Sequence, residues 1–512
     1  MDVRTQMRRA AQHYADLECI VHGDRRFTFA EAWGRGLRLA NALLGLGLQG
    51  GDRVGVLEDN SIEAADIFAG AAAANLVRVP LYPRNRREDH LHMLGHTGCR
   101  ALVVSENYLH EVEGMDAELP DLQHIIVRGA DYEDWLASFP DTDPDVPVDE
   151  NDNFIIRHTG GTTGRSKGVA YTHRGWLNAG RDWFYSYPPV EPGDKALHLG
   201  PISHGSGYLF VPLWLSGGCN VMMDHFDVSV AAEVMEKEGI GYMFLVPTML
   251  NALNHEPTIR QRDWSKAKCL LVAAAPIADD TALTAYEIFG DALHQGYGQT
   301  EVLLVSFMGP RQWFGKIEGS TPLRSCGLAG PWASLEIWDE DNKPLPAGEV
   351  GEIVAQTDGQ MTGFWNNPEA TAERIVNGWV KTGDMGYVDK NGYLYMVDRA
   401  DDMIISGGYN IWPAELENVL SDHPSVLEVA VFGVPHEKWG ETPHAVCVLE
   451  AGASVSEEEL IALCAERLGS YKKPSAVDFR SEPLPKTPVG KIRRKDLREP
   501  FWAGHGRRIA GS

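Results

Sequence analysis

The sequence predicts an α/β protein: a large N-terminal domain of doubly wound sheets that includes a β-rich subdomain, then a small α+β C-terminal domain. Helix and strand patterns alternate over residues 26–80, which is typical of a parallel sheet covered by helices. From about residue 330 the apolar runs shorten and turn signals become frequent. A compact unit of mixed patterns follows Asp402. We therefore expect domains at residues 1–401 and 402–512.

Local signals mark the starts of several helices. Thr28, with Glu31 at the capping-box spacing, predicts the N-terminus of one helix. Ser61 predicts the cap of an alanine-rich helix, and Asp227 or Ser229 the cap of another. Short apolar strands separate these helices, which supports the doubly wound arrangement.

Bulk composition argues against several classes of partner. The 512 residues carry 46 Lys and Arg against 72 Asp and Glu, a formal net charge of −26. Such an acidic surface repels nucleic acid and anionic membranes. No apolar run reaches the roughly 18 residues that a membrane span needs. The seven cysteines are scattered and never form C-x-x-C, which predicts reduced thiols in a cytoplasmic protein.

A loop rich in glycine and threonine, residues 157–169, lies between two apolar segments that read as strands. Glycines let backbone N–H groups fold around an anion, and Lys167 adds a positive charge. The loop is not a Walker motif, because Ser166 precedes Lys167 and Gly168 follows it. On composition alone, a phosphate-binding loop and a plain connection between strands stay equally open.

A second motif surrounds Tyr297, which lies between Gly296 and Gly298. An aromatic ring between glycines can stack on a flat ligand ring, and the carboxylate of Glu301 can hold a hard cation such as Mg²⁺. The alternative is a turn at the end of a strand with a solvated glutamate.

Three further motifs follow in the C-terminal third of the chain. Asp384 comes after a glycine and could accept two hydrogen bonds from a ribose diol, although an ordinary turn aspartate is the more frequent origin of this pattern. Gly407 and Gly408 indicate close approach of the backbone to another group. Lys491 lies on a loop framed by glycine and proline, from which it could reach into a site.

In this order and at these separations, the motifs resemble those of the adenylate-forming (ANL) superfamily, which contains acyl-CoA synthetases, peptide-synthetase adenylation domains and firefly luciferase. The resemblance covers essentially the whole chain. It rests on four motifs: residues 159–168, 297–301, 382–384 and 486–491. Two positions depart from the family pattern, since Gly160 stands where serine is more usual and Ser166 where proline is more usual.

The resemblance implies that the enzyme uses ATP and Mg²⁺ to convert a carboxylic acid into an acyl-adenylate and then transfers the acyl group to coenzyme A. The implied catalytic residues are Lys491, His204, Thr300 and Glu301, and the implied metal ligands are Glu301 and Thr163. The implied nucleotide-binding residues are Thr159, Gly160, Gly161, Thr162, Thr163, Gly164, Lys167, Ala274, Ala275, Pro276, Gly296, Tyr297, Gly298, Asp384 and Arg399.

The resemblance further implies that the C-terminal domain is mobile. Lys491 belongs to this domain, so the domain must close on the rest of the chain for adenylation. It would then rotate about a hinge at Asp402, which turns Gly407 and Gly408 toward a tunnel for coenzyme A.

The acid is expected to be hydrophobic, either a fatty acid or an aryl acid. The expected pocket residues are apolar and several are small: Trp183, Tyr208, Ala273, Val302 and Leu303. Two alternatives stay open, a stand-alone enzyme that loads a carrier protein and a non-catalytic protein that binds acyl groups or nucleotides. A homodimer is compatible with the resemblance.

Overall fold

The computed structural model describes residues 1–159, 166–399, 402–406, 409–436, 438–469, 472–486 and 492–503. Up to residue 158 the elements are α1 (Val3–His13), β1 (Glu18–His22), β2 (Arg25–Thr28), α2 (Phe29–Gly45), β3 (Arg53–Leu57), α3 (Ala64–Ala73), β4 (Val77–Pro80), α4 (Arg87–Thr97), β5 (Cys99–Ser105), α5 (Leu109–Val112), α6 (Met115–Glu118), β6 (His124–Arg128), α7 (Tyr132–Ala137) and β7 (Asn153–His158).

The middle of the chain contains β8 (Gly168–Thr172), α8 (His173–Ser186), β9 (Lys195–His198), α9 (Phe210–Leu215), β10 (Cys219–Met222), α10 (Val228–Lys237), β11 (Tyr242–Leu245), α11 (Pro247–Asn254), β12 (Cys269–Val272), α12 (Asp279–Phe289), β13 (Leu293–Tyr297), β14 (Ser306–Met308), α13 (Pro310–Trp313), β15 (Gly327–Ala329) and β16 (Ala333–Trp338). The last part contains β17 (Gly351–Thr357), β18 (Gly363–Phe364), α14 (Pro368–Arg374), β19 (Ile375–Val376), β20 (Trp379–Val388), β21 (Tyr393–Arg399), β22 (Ile404–Ser406), β23 (Tyr409–Ile411), α15 (Pro413–Ser421), β24 (Val426–His436), β25 (Gly440–Leu449), α16 (Glu457–Leu468), β26 (Ala476–Arg480) and α17 (Arg494–Trp502).

The described strands form three sheets. In the first, the order is β18-β8-β7-β4-β3-β5-β6, and the strands from β7 to β6 run parallel, while β7 and β8 form an antiparallel pair. The parallel strands are short and apolar because helices cover the sheet. The predicted doubly wound α/β architecture is therefore confirmed for this part.

The second sheet combines two strand patterns in one order, β16-β17-β20-β21-β15-β14-β13-β12-β11-β9-β10-β1-β2, with β19 beside β20. Its strands from β13 to β1 are parallel. From β14 onward toward β16 the pairs are antiparallel. The β-rich segment predicted after residue 330 thus extends the second sheet rather than forming a sheet of its own.

The third sheet, within residues 404–480, has the order β23-β22-β25-β24 with β26 beside β25. Helices α15 and α16 pack on it around a core that includes Leu416, Leu420, Val431 and Leu460. This is the α+β pattern predicted for the last part of the chain.

The predicted helix starts have different outcomes. Thr28 caps α2 in a complete capping box with Glu31, and Asp227 Oδ1 accepts hydrogen bonds from two N–H groups at the start of α10. The prediction for Ser61 is wrong. Helix α3 begins three residues later, and Ser61 Oγ instead accepts a hydrogen bond of 3.1 Å from Arg128. Among the described residues, no helix combines the length and apolar character needed to cross a bilayer.

Candidate active site

The Asp384 cluster consists of Tyr297, Gln299, Thr382 and Asp384. Tyr297 is the last residue of β13, whereas Asp384 lies within β20, several strands away in the second sheet. Tyr297 Oη donates a hydrogen bond of 2.7 Å to Asp384 Oδ2, and Gln299 Nε2 donates one of 2.6 Å to the same oxygen. The residues predicted to contact adenine and ribose, 87 positions apart, therefore meet.

The turn before Asp384 is held by its own hydrogen bonds. Thr382 Oγ1 accepts from the Asp384 N–H at 3.1 Å and donates to the Ile353 carbonyl at 2.6 Å. Gly383 has φ +71°, a left-handed conformation that favours glycine. Burial, and next the nearby Asp384, raise the pKa of Tyr297 well above its ordinary value. The phenol consequently stays protonated and acts as a hydrogen-bond donor.

Two strand ends bring the predicted nucleotide segments to one edge of the second sheet. Ala273 follows β12, and β12 runs parallel to β13, so their carboxyl ends lie at the same edge. Such edges are where ligands bind in open α/β sheets. Ala274, Ala275 and Pro276 are exposed there. Ala274 has φ +75°, an uncommon conformation for a residue with a Cβ atom, and strain of this kind is concentrated at functional sites.

Thr300 and Glu301 lie in the segment between β13 and β14, where contacts from several elements fix the backbone. Tyr171 Oη donates to the Thr300 carbonyl at 2.7 Å, and Met361 N donates to the Glu301 carbonyl at 2.9 Å. The Glu301 side chain is buried and forms a long ion pair with Arg374, with 3.4 Å between Oε1 and Nη2.

The surroundings of Glu301 fit Mg²⁺ shared with a substrate. Magnesium takes oxygen ligands, keeps several waters and uses one or two carboxylates together with substrate phosphates. Glu301 offers one buried carboxylate, and its ion pair with Arg374 is long. Among the described residues, no group of three or more His, Cys, Asp or Glu side chains could hold a metal ion. The residues present therefore fit an ion completed by phosphate oxygens better than a metal centre made by protein alone.

The His204 cluster consists of Tyr82, Arg157, Ser203, His204 and Tyr208. Tyr82 Oη lies 2.6 Å from His204 Nδ1 and donates to the His158 carbonyl at 3.1 Å. Arg157 Nη2 donates to the Ser203 carbonyl at 2.9 Å. The phenol of Tyr208 hydrogen-bonds with Thr300, which connects this cluster to the segment that carries Glu301.

The five predicted pocket residues do not share one apolar cluster. Trp183 packs near Tyr187, Leu209 and Leu304. Tyr208 and Leu303 belong to the core between α8, α9 and the first sheet. Val302 is fully buried against Val305, Ala355 and Val380. Ala273, at the end of β12, is partly exposed.

The space beside Trp183 is small. The cavity that this side chain lines with Tyr187, Leu209 and Leu213 measures about 20 Å³, enough for about one water molecule. Gly296 lies close by, since a Cβ atom built on it would come 2.8 Å from Tyr187 Oη. An acid could enter this region only if side chains moved.

The glycine–threonine loop joins the antiparallel strands β7 and β8. Its described ends are pinned, because Thr159 N donates to the Lys167 carbonyl at 3.0 Å and His92 Nε2 lies 2.9 Å from the Ser166 carbonyl. The Lys167 side chain is exposed, with Nζ 5.2 Å from the centre of the Phe364 ring. Thr159 and Lys167, the two described residues of the predicted phosphate site, therefore lie where the loop leaves strands β7 and β8.

Several predicted residues lie outside the described residues: Gly160, Gly161, Thr162, Thr163, Gly164, Gly407, Gly408 and Lys491. The backbone of Arg399 pairs directly with that of Asp384 across β20 and β21. Asp402 forms ion pairs with Arg494, at 2.9 Å, and with Arg498, at 3.7 Å, both in α17.

Sequence reasoning assigned no role to Tyr82, to Arg157 or to the histidines His92, His96 and His158. His96 Nδ1 lies 3.3 Å from His158 Nε2, and burial, followed by His96 and His92, lowers the pKa of His158 to about 3. The available signals were an arginine inside an apolar strand and histidines four positions apart on one helix.

Comparison with known proteins identifies the family of the chain. The family model described as AMP-binding enzyme matches residues 7–365, and the model of the AMP-binding enzyme C-terminal domain matches residues 415–491. This chain belongs to the AMP-binding enzyme family. It is an AMP-forming acid–thiol ligase of the acyl-CoA synthetase type, and enzymes of this type use ATP, Mg²⁺ and coenzyme A.

Its relatives cover the chain almost completely. A fatty acid–[acyl-carrier-protein] ligase from Streptomyces coeruleorubidus is 32% identical over 508 residues, which is 98% of this chain and 96% of that protein. A feruloyl-CoA synthase from an Amycolatopsis species is 34% identical over 488 residues, 94% of this chain and 95% of that protein. The ATP-bound crystal structure of MatB from Rhodopseudomonas palustris superimposes with a TM-score of 0.89 at 26% identity, covering 98% of this chain and 99% of MatB.

Proposed function

We propose that this AMP-binding enzyme activates a hydrophobic carboxylic acid in two steps. First the carboxylate oxygen attacks the α-phosphorus of ATP, pyrophosphate leaves, and an acyl-adenylate forms. Then the thiol sulfur of coenzyme A attacks the acyl carbon, the bond to AMP breaks, and the thiol proton is released. The products are acyl-CoA, AMP and pyrophosphate.

The observation that carries the proposal is the Asp384 cluster, whose members come from distant strands and end beside the edge formed by Ala274–Pro276. In the proposed complex, Tyr297 lies against adenine and Asp384 binds the ribose hydroxyls, with Arg399 close by. Thr300 contacts the α-phosphate. Glu301 and Thr163 would hold Mg²⁺, which neutralises phosphate charge when bound. The hairpin residues Thr159 to Lys167 hold the departing pyrophosphate.

Lys491 is proposed as the group that stabilises the charge developing between carboxylate and α-phosphate. Such preorganised charge is often the largest single contribution to catalysis. Because Lys491 follows residue 402, we propose that residues 402–512 form a domain that closes for adenylation. The same domain would then turn about Asp402, so that Gly407 and Gly408 line the path of coenzyme A.

The acid is proposed to be a fatty or an aryl acid, and His204 lies where its carboxylate would be held. Two relatives carry both possibilities in their names, one a fatty acid ligase and the other a feruloyl-CoA synthase. The apolar character of Trp183, Leu303 and Tyr208 supports a hydrophobic acid. We further propose a cytoplasmic location and leave a homodimer as a prediction for light scattering.

A second candidate is transfer to a carrier protein instead of coenzyme A. It is favoured by one observation, the 32% identity to a fatty acid–[acyl-carrier-protein] ligase over nearly the full length of both chains. Adenylate chemistry is the same in both cases, so only the thiol that accepts the acyl group differs.

The test is pyrophosphate release over a panel of saturated fatty acids and hydroxycinnamic acids, with and without coenzyme A. A coenzyme A ligase gives pyrophosphate and a thioester in stoichiometric amounts. A carrier-loading enzyme gives adenylate but no coenzyme A thioester, and forms a thioester when a phosphopantetheinylated carrier is supplied. No pyrophosphate with any acid would contradict both candidates.

A further inference from the structure

Arg157 occupies an unusual place in β7. It follows Phe154, Ile155 and Ile156, and its side chain enters the layer between the first sheet and the segment that carries His204. Only 1% of Arg157 is exposed. Its guanidinium carbon lies 4.1 Å from the centre of the Tyr208 ring and 5.8 Å from that of Trp176. The charge is therefore held close to the ring of Tyr208, a member of the His204 cluster.

The guanidinium of Arg157 is incompletely satisfied. One nitrogen, Nη2, bonds the Ser203 carbonyl, and the guanidinium also hydrogen-bonds with the phenol of Tyr208, while Nε and Nη1 are buried and have no hydrogen-bond partner. Among the described residues Arg157 forms no ion pair, although Glu301 is near enough to act on the same tyrosines. A buried cation without a counter-charge is costly, so an anion bound nearby would stabilise it.

Arg78, on the neighbouring strand β4, provides an internal comparison. It is also buried, with its guanidinium carbon 3.4 Å from the centre of the Phe68 ring, and its Nε has no partner. Burial, and then the charge of Arg157, lower the pKa of Arg78 to about 9. Within the described part of the chain, Arg78 makes no hydrogen bond or ring contact with a member of the His204 cluster, so the two arginines share burial but not position.

The charged and phenolic groups around Arg157 belong to the expected reaction centre. The positive charge of Arg157 and the negative charge of Glu301 both act on three phenols, those of Tyr82, Tyr171 and Tyr208. Tyr208 bonds with Thr300, and Tyr82 contacts His204. An anion bound beside Tyr208 and Thr300 would thus lie near the positive charge of Arg157.

We propose that Arg157 is a specificity-determining residue that selects the carboxylate form of the acid before adenylation, acting through its contact with Tyr208. This inference rests on the proposed function. Its positive charge stabilises the bound carboxylate, and adenylation then removes that charge from the acid. Arg157 therefore favours binding of the acid and contributes little to binding of ATP.

The experiment compares R157M and R157Q with R157K and with R78M as a matched buried control. R157Q can keep the bond to Ser203, and R157K keeps the charge. The probes are octanoic and ferulic acids and their primary amides, which have nearly the same shape but no charge. Dissociation constants are measured with α,β-methylene-ATP, whose α–β bridge cannot be cleaved, and KM values are measured separately with ATP.

In R157M and R157Q the preference for acid over amide falls by about tenfold or more, and KM for the acid rises by a similar factor, while KM for ATP changes by less than about twofold. R157K keeps most of the preference. R78M loses thermal stability without changing the preference, since its charge is elsewhere.

Two results overturn the inference. One is an unchanged acid-over-amide preference in R157M or R157Q, and the other is a preference in R157K as low as in R157M. If a neutral variant does not fold, the R157K result still decides. Wild-type protein that releases no pyrophosphate with any acid overturns the proposed function itself, whereas active wild type with unaffected variants overturns only the role of Arg157.

Discussion

The Asp384 cluster and the His204 cluster meet the same segment, 300–301, but they differ in how far their polar groups are satisfied. Asp384 Oδ2 accepts two short side-chain hydrogen bonds, and its backbone is held by Thr382. In the His204 cluster, two buried nitrogens of Arg157 have no partner. The carboxylate of the Asp384 cluster is thus satisfied by the protein, although Gln299 Oε1 in the same cluster is buried without a partner, whereas the guanidinium of the His204 cluster keeps two unpartnered nitrogens. A preformed partner loses less entropy on binding.

The largest expected effect concerns a charge that neither cluster supplies. Lys491→Ala should slow acyl-adenylate formation by about 10²–10³-fold, the typical cost of one lost transition-state donor. Thioester formation from a supplied acyl-adenylate should stay near the wild-type rate. Quenched-flow measurement of both half-reactions tests this. Lys495→Ala, a change at an exposed lysine of α17 that pairs with Glu499, is the control. Equal loss of both half-reactions would show that neither step depends selectively on Lys491.

Asp384→Asn tests the Asp384 cluster. The amide keeps the shape but loses charge-assisted hydrogen bonds of about 1.5–3 kcal/mol, so KM for ATP should rise roughly 10- to 100-fold. The KM for the acid should change little. Asp389→Asn is the control, because Asp389 also accepts hydrogen bonds from Ser320 and Tyr395 but lies at the far end of the same hairpin. Steady-state kinetics with each substrate varied in turn would refute the assignment if both variants behaved alike.

Tyr82→Phe tests the His204 cluster. Removing a neutral hydrogen bond of about 0.5–1.5 kcal/mol should lower the adenylation rate roughly 2- to 10-fold. In a His204→Ala background the same change should have a smaller effect, because the contact with His204 is already lost and only the hydrogen bond to the His158 carbonyl remains to be removed. Tyr132→Phe, which removes a buried bond to Asp66 away from the site, should reduce stability but not adenylation. Fully additive losses in Tyr82 and His204 would contradict the coupling.

The smallest effect is on stability and arises from buried neutral histidines. The pKa of His158 is lowered to about 3 and that of His198 to about 4, in both cases chiefly by burial. Below about pH 6.5 the unfolded chain therefore binds more protons than the folded chain. The contribution of these histidines to the free energy of unfolding is complete above that pH and is lost as the pH falls toward 4. His158→Gln should flatten the slope by about 1.4 kcal/mol per pH unit between pH 6 and 4. Urea unfolding at several pH values measures this slope, and His255→Gln, a change at an exposed histidine, is the control. An unchanged slope in His158→Gln would show that His158 does not contribute to the pH dependence of stability.

The sequence could predict features that depend on neighbouring residues. The capping box of Thr28 and Glu31 is local, and it is present as expected. Ser61 shows where local patterns fail, because its hydroxyl accepts a hydrogen bond from Arg128, a residue distant in sequence. The motif around Tyr297 and the one around Asp384 were visible separately, and only the resemblance to a family joined them. The contacts of Tyr82 and Arg157 depend on how the first sheet packs against the segment at His204, which no local pattern encodes.

Tyr82 makes one phenol the meeting point of two functions. Its hydroxyl contacts the last carbonyl of β7, that of His158 at the start of the glycine–threonine loop, and also the ring of His204. A single side chain thus joins the loop to the segment that carries His204. If nucleotide changes the affinity for the acid through this contact, reciprocity requires the acid to change the affinity for nucleotide by the same factor. The coupling between the two substrates would then pass through one hydroxyl group.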